Sequence, residues 1–220
     1  MMITIDGPAG SGKSTTARLV ANRLGFTYLD TGAMYRALTL LALQQNCDIE
    51  NGASLARIAQ KNTFEIQSTP ERTRIWIDGN ELTDQIRTLA VTNNVSAVSR
   101  HPAVRNEMVK LQRKIATSGK FVIEGRDIGS VVFPNARLKI FMKASVDARA
   151  QRRLKELQEK NVYTSFEKIK DEMAARDKYD SERETAPLMK PEGAIVLDTT
   201  KLTIDEQVEK IIEAFKNIEE

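Results

Sequence analysis

The chain has 220 residues, 41% of them hydrophobic and 29% charged, with a formal net charge of +3. That is enough apolar material for a sizeable core in one domain, and too weak a field to hold nucleic acid or a membrane surface by charge alone. Cys47 is the single cysteine, which excludes an internal disulfide and a cysteine-built zinc site and fits a reducing compartment.

The first element is the most informative. Residues 2–5 form a short apolar run, and Gly7, Pro8, Ala9, Gly10, Ser11, Gly12, Lys13, Ser14 and Thr15 follow it before a helical stretch at 16–21. A GxxxxGK[ST] loop between strand and helix wraps backbone N–H groups around a phosphate chain, with the positive end of the helix dipole aimed at the same anion. Glycine at 7, 10 and 12 permits the backbone angles and close approach that the loop needs. Lys13 is expected to reach the outer phosphates of a nucleoside triphosphate, and the Ser14 hydroxyl to take one position on a bridging magnesium.

Further apolar runs at 26–29, 121–123, 138–142 and 194–197 alternate with longer amphipathic segments. This pattern predicts an α/β fold with a five-stranded parallel sheet and helices on both faces. Residues 63–66 and 74–77 read instead as antiparallel strands, with Asp78 and Gly79 as a tight turn before Glu81 and Leu82. Trp76, between two isoleucines, reads as sheet packing. The charged stretch 149–172, broken at 161–165, reads as a mobile hairpin of two helices. In the last helix Thr203 and Glu206 suit a capping box, with Ile204, Val208, Ile211, Ile212 and Phe215 on one face.

Three clusters complete the reading. Asp30, Thr31 and Arg36 follow the second strand at the sheet edge where open α/β proteins bind ligands. Asp30 and Thr31 taken alone read first as a helix cap, although Asp30 is also placed to orient magnesium-bound water. Glu124, Gly125, Arg126, Asp127, Ile128 and Gly129 emerge at the same edge. There Arg126 can fork onto a phosphate, and the alternative is an ion pair between Arg126 and Asp127. Arg149, Arg152 and Arg153 open the mobile segment. Arg176, Asp180 and Arg183 share one helical stripe that ends near Pro187 and Leu188, a cation supply suited to phosphoryl transfer.

The ordered motifs DGPAGSGKST, LDTGAMYRAL, EGRDIGSVVFP, the arginine pair at 152 and 153, ARDKYDSERETAPL and VLDTT together resemble the bacterial cytidylate kinase family almost end to end. The resemblance implies a single nucleoside monophosphate kinase domain over 1–220, with a monophosphate-binding insert at about 63–87 and a lid at about 149–166. It implies transfer of the γ-phosphoryl group of ATP to CMP or dCMP with magnesium as cofactor. The near-neutral charge, the single cysteine and the lack of a long apolar run lead to the expectation of a cytoplasmic protein with neither a nucleic-acid nor a membrane partner, and a monomer is expected with it. The resemblance marks Thr31, Arg36, Arg126 and Arg183 as acceptor-phosphate ligands, Arg176 and Asp180 as ribose ligands, and Ser96, Arg105 and Asp127 as cytosine ligands. Lys13, Arg126, Arg153 and Arg183 become the catalytic cations, Arg153 from the lid. Glu124 stands where many relatives carry aspartate and Thr31 where serine is also common; both keep the chemistry. The sole histidine, His101, matches no catalytic position. A signalling GTPase is disfavoured because Asp198, Thr199 and Thr200 occupy the place of its guanine-reading motif.

Overall fold

The computed structural model describes residues 1–69, 73–159 and 161–219. In chain order, β1 (Met2–Asp6) leads through the glycine-rich loop to α1 (Lys13–Leu24), then β2 (Thr27–Asp30), α2 (Thr31–Gln44) and α3 (Gly52–Lys61). A small sheet follows, made of β3 (Phe64–Ser68), β4 (Thr73–Ile77) and β5 (Asn80–Glu81). The chain returns through α4 (Leu89–Arg100) and α5 (Pro102–Ile115) to β6 (Phe121–Gly125) and β7 (Leu138–Lys143). It closes with α6 (Val146–Glu159), α7 (Phe166–Glu182), β8 (Ile195–Asp198) and α8 (Ile204–Glu219).

The main sheet has five strands in the order β2-β6-β1-β7-β8, and each pairing is parallel. Its strands are those expected from the apolar runs, displaced by at most a residue or two at their ends. Both faces are covered, because alternate residues of each strand point opposite ways. Leu29, Phe121 and Ile123 enter one apolar layer with α2, α4 and α5. Ile3, Ile5, Tyr28 and Val122 enter the other with α1 and α8. Burying each such aliphatic side chain contributes about 1.5 to 3 kcal/mol. The expected cap on α8 is present: Glu206 accepts from the Thr203 N–H at 2.7 Å, and the Glu206 N–H donates to Thr203 Oγ1 at 3.3 Å.

The antiparallel excursion lies between β2 and β6, with β3-β4-β5 joined in sequence. It is not a separate globule, since Phe64, Ile75, Ile77, Leu82 and Ile86 lie in the same apolar layer as α2. Trp76 lies within the small sheet, as expected, on the face away from the core. The isoleucines on either side point into the core, so the strand period turns Trp76 outward, where the Arg74 guanidinium stacks 4.7 Å from its ring centroid. Residues 70–72 of this insert, and residue 160 in the segment between α6 and α7, lie outside the described residues.

The helical pair at the charged segment is present, packed through its own cluster of Ala150, Ile169 and Met173, separate from the two sheet layers. The stripe on α7 needs a correction. The helix stops at Glu182, and Arg183 is its C-cap in extended conformation at φ −64° and ψ 140°. The turn closes instead through the Leu188 N–H donating to the Asp180 carbonyl at 2.8 Å, so Arg183 leaves the helix rather than lying on its face.

Candidate active site

The carboxyl ends of β1, β2 and β6 open on a cleft of about 570 Å³. The glycine-rich loop forms one wall. Gly7, Gly10 and Gly12 have φ of 151°, 74° and 95°, and a Cβ on Gly7 would lie 2.2 Å from the Met142 carbonyl oxygen on β7. The loop is braced from below: Thr199 Oγ1 donates to the Ser11 carbonyl at 2.9 Å, and Thr16 Oγ1 donates to Gln207 on α8 at 2.7 Å. Ala9, Gly10, Lys13, Ser14 and Thr15 line the cleft; Gly7, Pro8, Ser11 and Gly12 support them from outside its lining. Lys13 Nζ donates to the Pro8 carbonyl at 2.8 Å. Burial, and after it the Arg126 charge, push the Lys13 ammonium down to about 7.

The acceptor side collects the other expected residues. Thr31, Arg36, Ser96, Arg105, Arg126, Asp127, Arg153, Arg176, Asp180 and Arg183 all line the same cleft. Burial and the neighbouring Arg126 lower Arg176 to about 10, and burial followed by Arg105 lowers Arg183. Cations held this close in a partly dry cleft disfavour one another and gain when a polyanion arrives.

Local pairing bears out the cap expected at Asp30 and departs from the sequence expectation at Arg126 and Asp127. Asp30 is the N-cap of α2, its Oδ1 accepting the Ala33 N–H at 2.8 Å while Oδ2 accepts from Arg36 at 3.1 Å. Thr31 Oγ1 donates to the Glu124 carbonyl at 2.7 Å, which ties the start of α2 to β6. Arg126 and Asp127 do not pair with each other. Arg126 Nε donates to Asp180 at 3.0 Å, while Asp127 forms a buried ion pair with Arg105 and faces Arg183 at 3.7 Å. Each finds its partner on a different helix, Arg126 on α7 and Asp127 on α5.

Of the three arginines that open the charged segment, Arg153 faces the cleft, in an ion pair with Glu156 at 2.7 Å. Arg149 is 2% exposed; it donates to the Ala144 and Ala9 carbonyls at 3.1 Å each and forks onto Asp177 at 3.1 and 2.5 Å. Arg152 donates to the Thr199 carbonyl at 2.5 Å and to the Gly10 carbonyl at 3.3 Å. In this structure these two tie α6 to the phosphate loop, and of the three only Arg153 reaches the cleft.

Several site residues carried no sequence signal. Tyr35 lies beneath Arg105, whose guanidinium is 5.7 Å from the ring centroid, and Thr73, Thr83, Asp84 and Arg87 reach the cleft only because the insert packs there. Glu124, noted for its length, turns out to be central. Ser14 Oγ donates to its Oε1 at 2.5 Å, and the Tyr28 hydroxyl donates to the same oxygen at 3.0 Å. A hydroxyl beside a carboxylate is a hard-oxygen donor set of the kind magnesium takes. Among the described residues no group of three or more His, Cys, Asp or Glu gathers for a metal. An ion at this place would therefore complete its shell from phosphate oxygens and water, as magnesium does at nucleotide sites.

A glycine-rich loop at the end of β1, a parallel sheet of this order and a cleft crowded with arginines define a P-loop kinase. A model of the cytidylate kinase family matches residues 3–217, and the chain belongs to that family. The cytidylate kinase of Geobacillus thermodenitrificans (strain NG80-2) is 50% identical over 211 residues, covering 96% of this chain and 94% of that protein. That of Enterococcus faecalis (strain ATCC 700802 / V583) is 50% identical over 214 residues, covering 97% and 95%. Among solved structures, a gluconokinase from Sinorhizobium meliloti 1021 superposes with a TM-score of 0.51 at 12% identity over 99% of this chain and 92% of that one, a likeness of fold alone.

Proposed function

We propose that the chain transfers the γ-phosphoryl group of ATP to CMP or dCMP, giving ADP with CDP or dCDP, as a single domain in which 63–87 helps to enclose the acceptor and 149–166 acts as a lid. The observation that carries this reading is that buried Lys13 and half-buried Arg126 and Arg176 line one cleft, where the Arg126 charge lowers both Lys13 and Arg176 and an entering polyanion would relieve it.

Phosphoryl transfer needs alignment and charge neutralisation more than covalent chemistry. Loop amides and Lys13 hold the donor phosphates. Arg36, Arg126 and Arg183 hold the acceptor phosphate, and Arg153 arrives from the lid side to shield the migrating group from water. Arg176 and Asp180, on one face of α7, take the ribose. Magnesium would be held by Ser14 and Glu124, with Asp30 near its water, and when bound it neutralises charge on the donor phosphates. Cytosine is chosen by Asp127, with Arg105 and Ser96 beside it: an ionised carboxylate only accepts, so it bonds the exocyclic amino group of cytosine and repels the carbonyl that uracil presents there.

A panel of CMP, dCMP, UMP, AMP and GMP assayed by ADP release tests this. Turnover concentrated on CMP and dCMP supports the reading; faster turnover of UMP or a purine monophosphate would refute it.

A further inference from the structure

Asp6 ends β1, directly precedes Gly7, and is fully buried. Its Oδ1 accepts the Ile128 N–H and its Oδ2 the Gly129 N–H, each at 2.7 Å. Those amides open the π-helical turn Ile128–Val132, whose own bonds run from Val131 and Val132 to the Asp127 carbonyl and from Phe133 to that of Ile128. The first amides of such a turn have no acceptor within it, and a neighbouring strand supplies one here as an N-cap side chain would. The approach is close: a Cβ on Gly129 would lie 2.8 Å from Thr4 Oγ1 and 3.2 Å from Asp6 Oδ2. The Asp6 backbone also pairs with Gly125 in the β1–β6 ladder. Arg126 and Asp127 therefore span two points that one residue holds, Gly125 through its backbone and residues 128 and 129 through its side chain. Burial raises the Asp6 carboxyl to about 7 against the lowering effect of the two amide bonds, so the site keeps an acid at a position that disfavours its charge.

We infer that Asp6 is a positioning residue for the acceptor end of the site: it fixes where Arg126 meets the monophosphate and Asp127 meets the base, and joins both to the phosphate loop that its own backbone begins. This inference rests on the reading of CMP as acceptor. In Asp6→Asn one acceptor oxygen becomes an NH2 group facing an amide donor, so the turn loses a bond and gains a repulsion. The variant is expected to raise KM for CMP by about ten- to a hundredfold, the scale on which small displacements act. KM for ATP stays near the wild-type value, and the preference for CMP over UMP narrows as Asp127 moves. Gly129→Ala, which pushes the same turn off Asp6, should give the same pattern. Either variant, folded with a native Tm, that keeps wild-type CMP kinetics and base preference would overturn the inference; so would equal losses toward ATP and CMP. Hydrogen exchange of the wild-type protein supplies an arm that needs no variant. The Ile128 and Gly129 amides should exchange as slowly as those of β1, and exchange at the rate of an exposed loop would also overturn the anchor. Wild-type protein that fails to phosphorylate CMP would defeat the functional reading instead, and leave the exchange result standing.

Discussion

Arg105 and Asp127 form an ion pair with side chains only 3% and 6% exposed, although one residue comes from α5 and the other from the turn after β6. The pair sits in the wall of the cleft, where the Tyr35 ring supports the cation and Arg183 faces the second oxygen of the anion. Removing one partner of such a pair leaves an uncompensated buried charge. Arg105→Ala is expected to destabilise the fold by about 3 to 5 kcal/mol, read by urea denaturation. A loss under about 1 kcal/mol would mean that solvent reaches the pair as it does at the surface.

Lys13 holds the donor phosphates in the ground state and acts most strongly on the charge that develops on the transferring phosphoryl group in the transition state. Lys13→Ala is expected to lower kcat by about two to three orders of magnitude, with the far-ultraviolet circular dichroism unchanged. Steady-state kinetics of the folded variant check this.

The depressed Lys13 ammonium also gives ATP binding a pH dependence. The free side chain loses its proton above about 7, and phosphates bind the protonated form, so affinity falls as pH rises from 7 to 9. The slope should approach about tenfold per pH unit, with proton uptake at pH 8 visible as a buffer-dependent enthalpy in calorimetry. Lys13→Arg should flatten the profile, because guanidinium stays protonated throughout.

Arg149 and Arg153, four residues apart on α6, should behave oppositely. Arg149→Ala removes contacts to Ala9, Ala144 and Asp177 and is expected to cost about 3 to 5 kcal/mol of stability. Arg153→Ala removes a half-exposed pair with Glu156, for which about 0 to 1 kcal/mol is expected, while kcat falls because a cation is lost from the cleft. Denaturation curves and turnover measured on the two variants separate strut from lid residue.

The parts of the site that were legible in the sequence are local. The loop from Gly7 to Thr15 announces itself because its backbone angles demand glycine at fixed positions, and the strands are readable because apolar runs repeat between turn signals. The Asp30 cap, too, was readable from two residues. Partner choice was not, because packing decides it. Nothing in the neighbouring pair Arg126 and Asp127 says that one turns to Asp180 and the other to Arg105. Nor does the run of Arg149, Arg152 and Arg153 say which two lie under the phosphate loop. Asp6 was hidden for the same reason: its acceptors serve amides more than a hundred positions away in sequence, across a ladder that exists only in the folded sheet.

The central claim is that Asp127 selects cytosine. The direct measurement is kcat/KM for CMP and for UMP in the wild type and in Asp127→Ala. The expected outcome is a loss of about 2 to 4 kcal/mol toward CMP, with the UMP value falling less or rising, so that the ratio between them narrows. A parallel fall for both substrates, leaving the ratio unchanged, would contradict the account and reduce Asp127 to a support for Arg105.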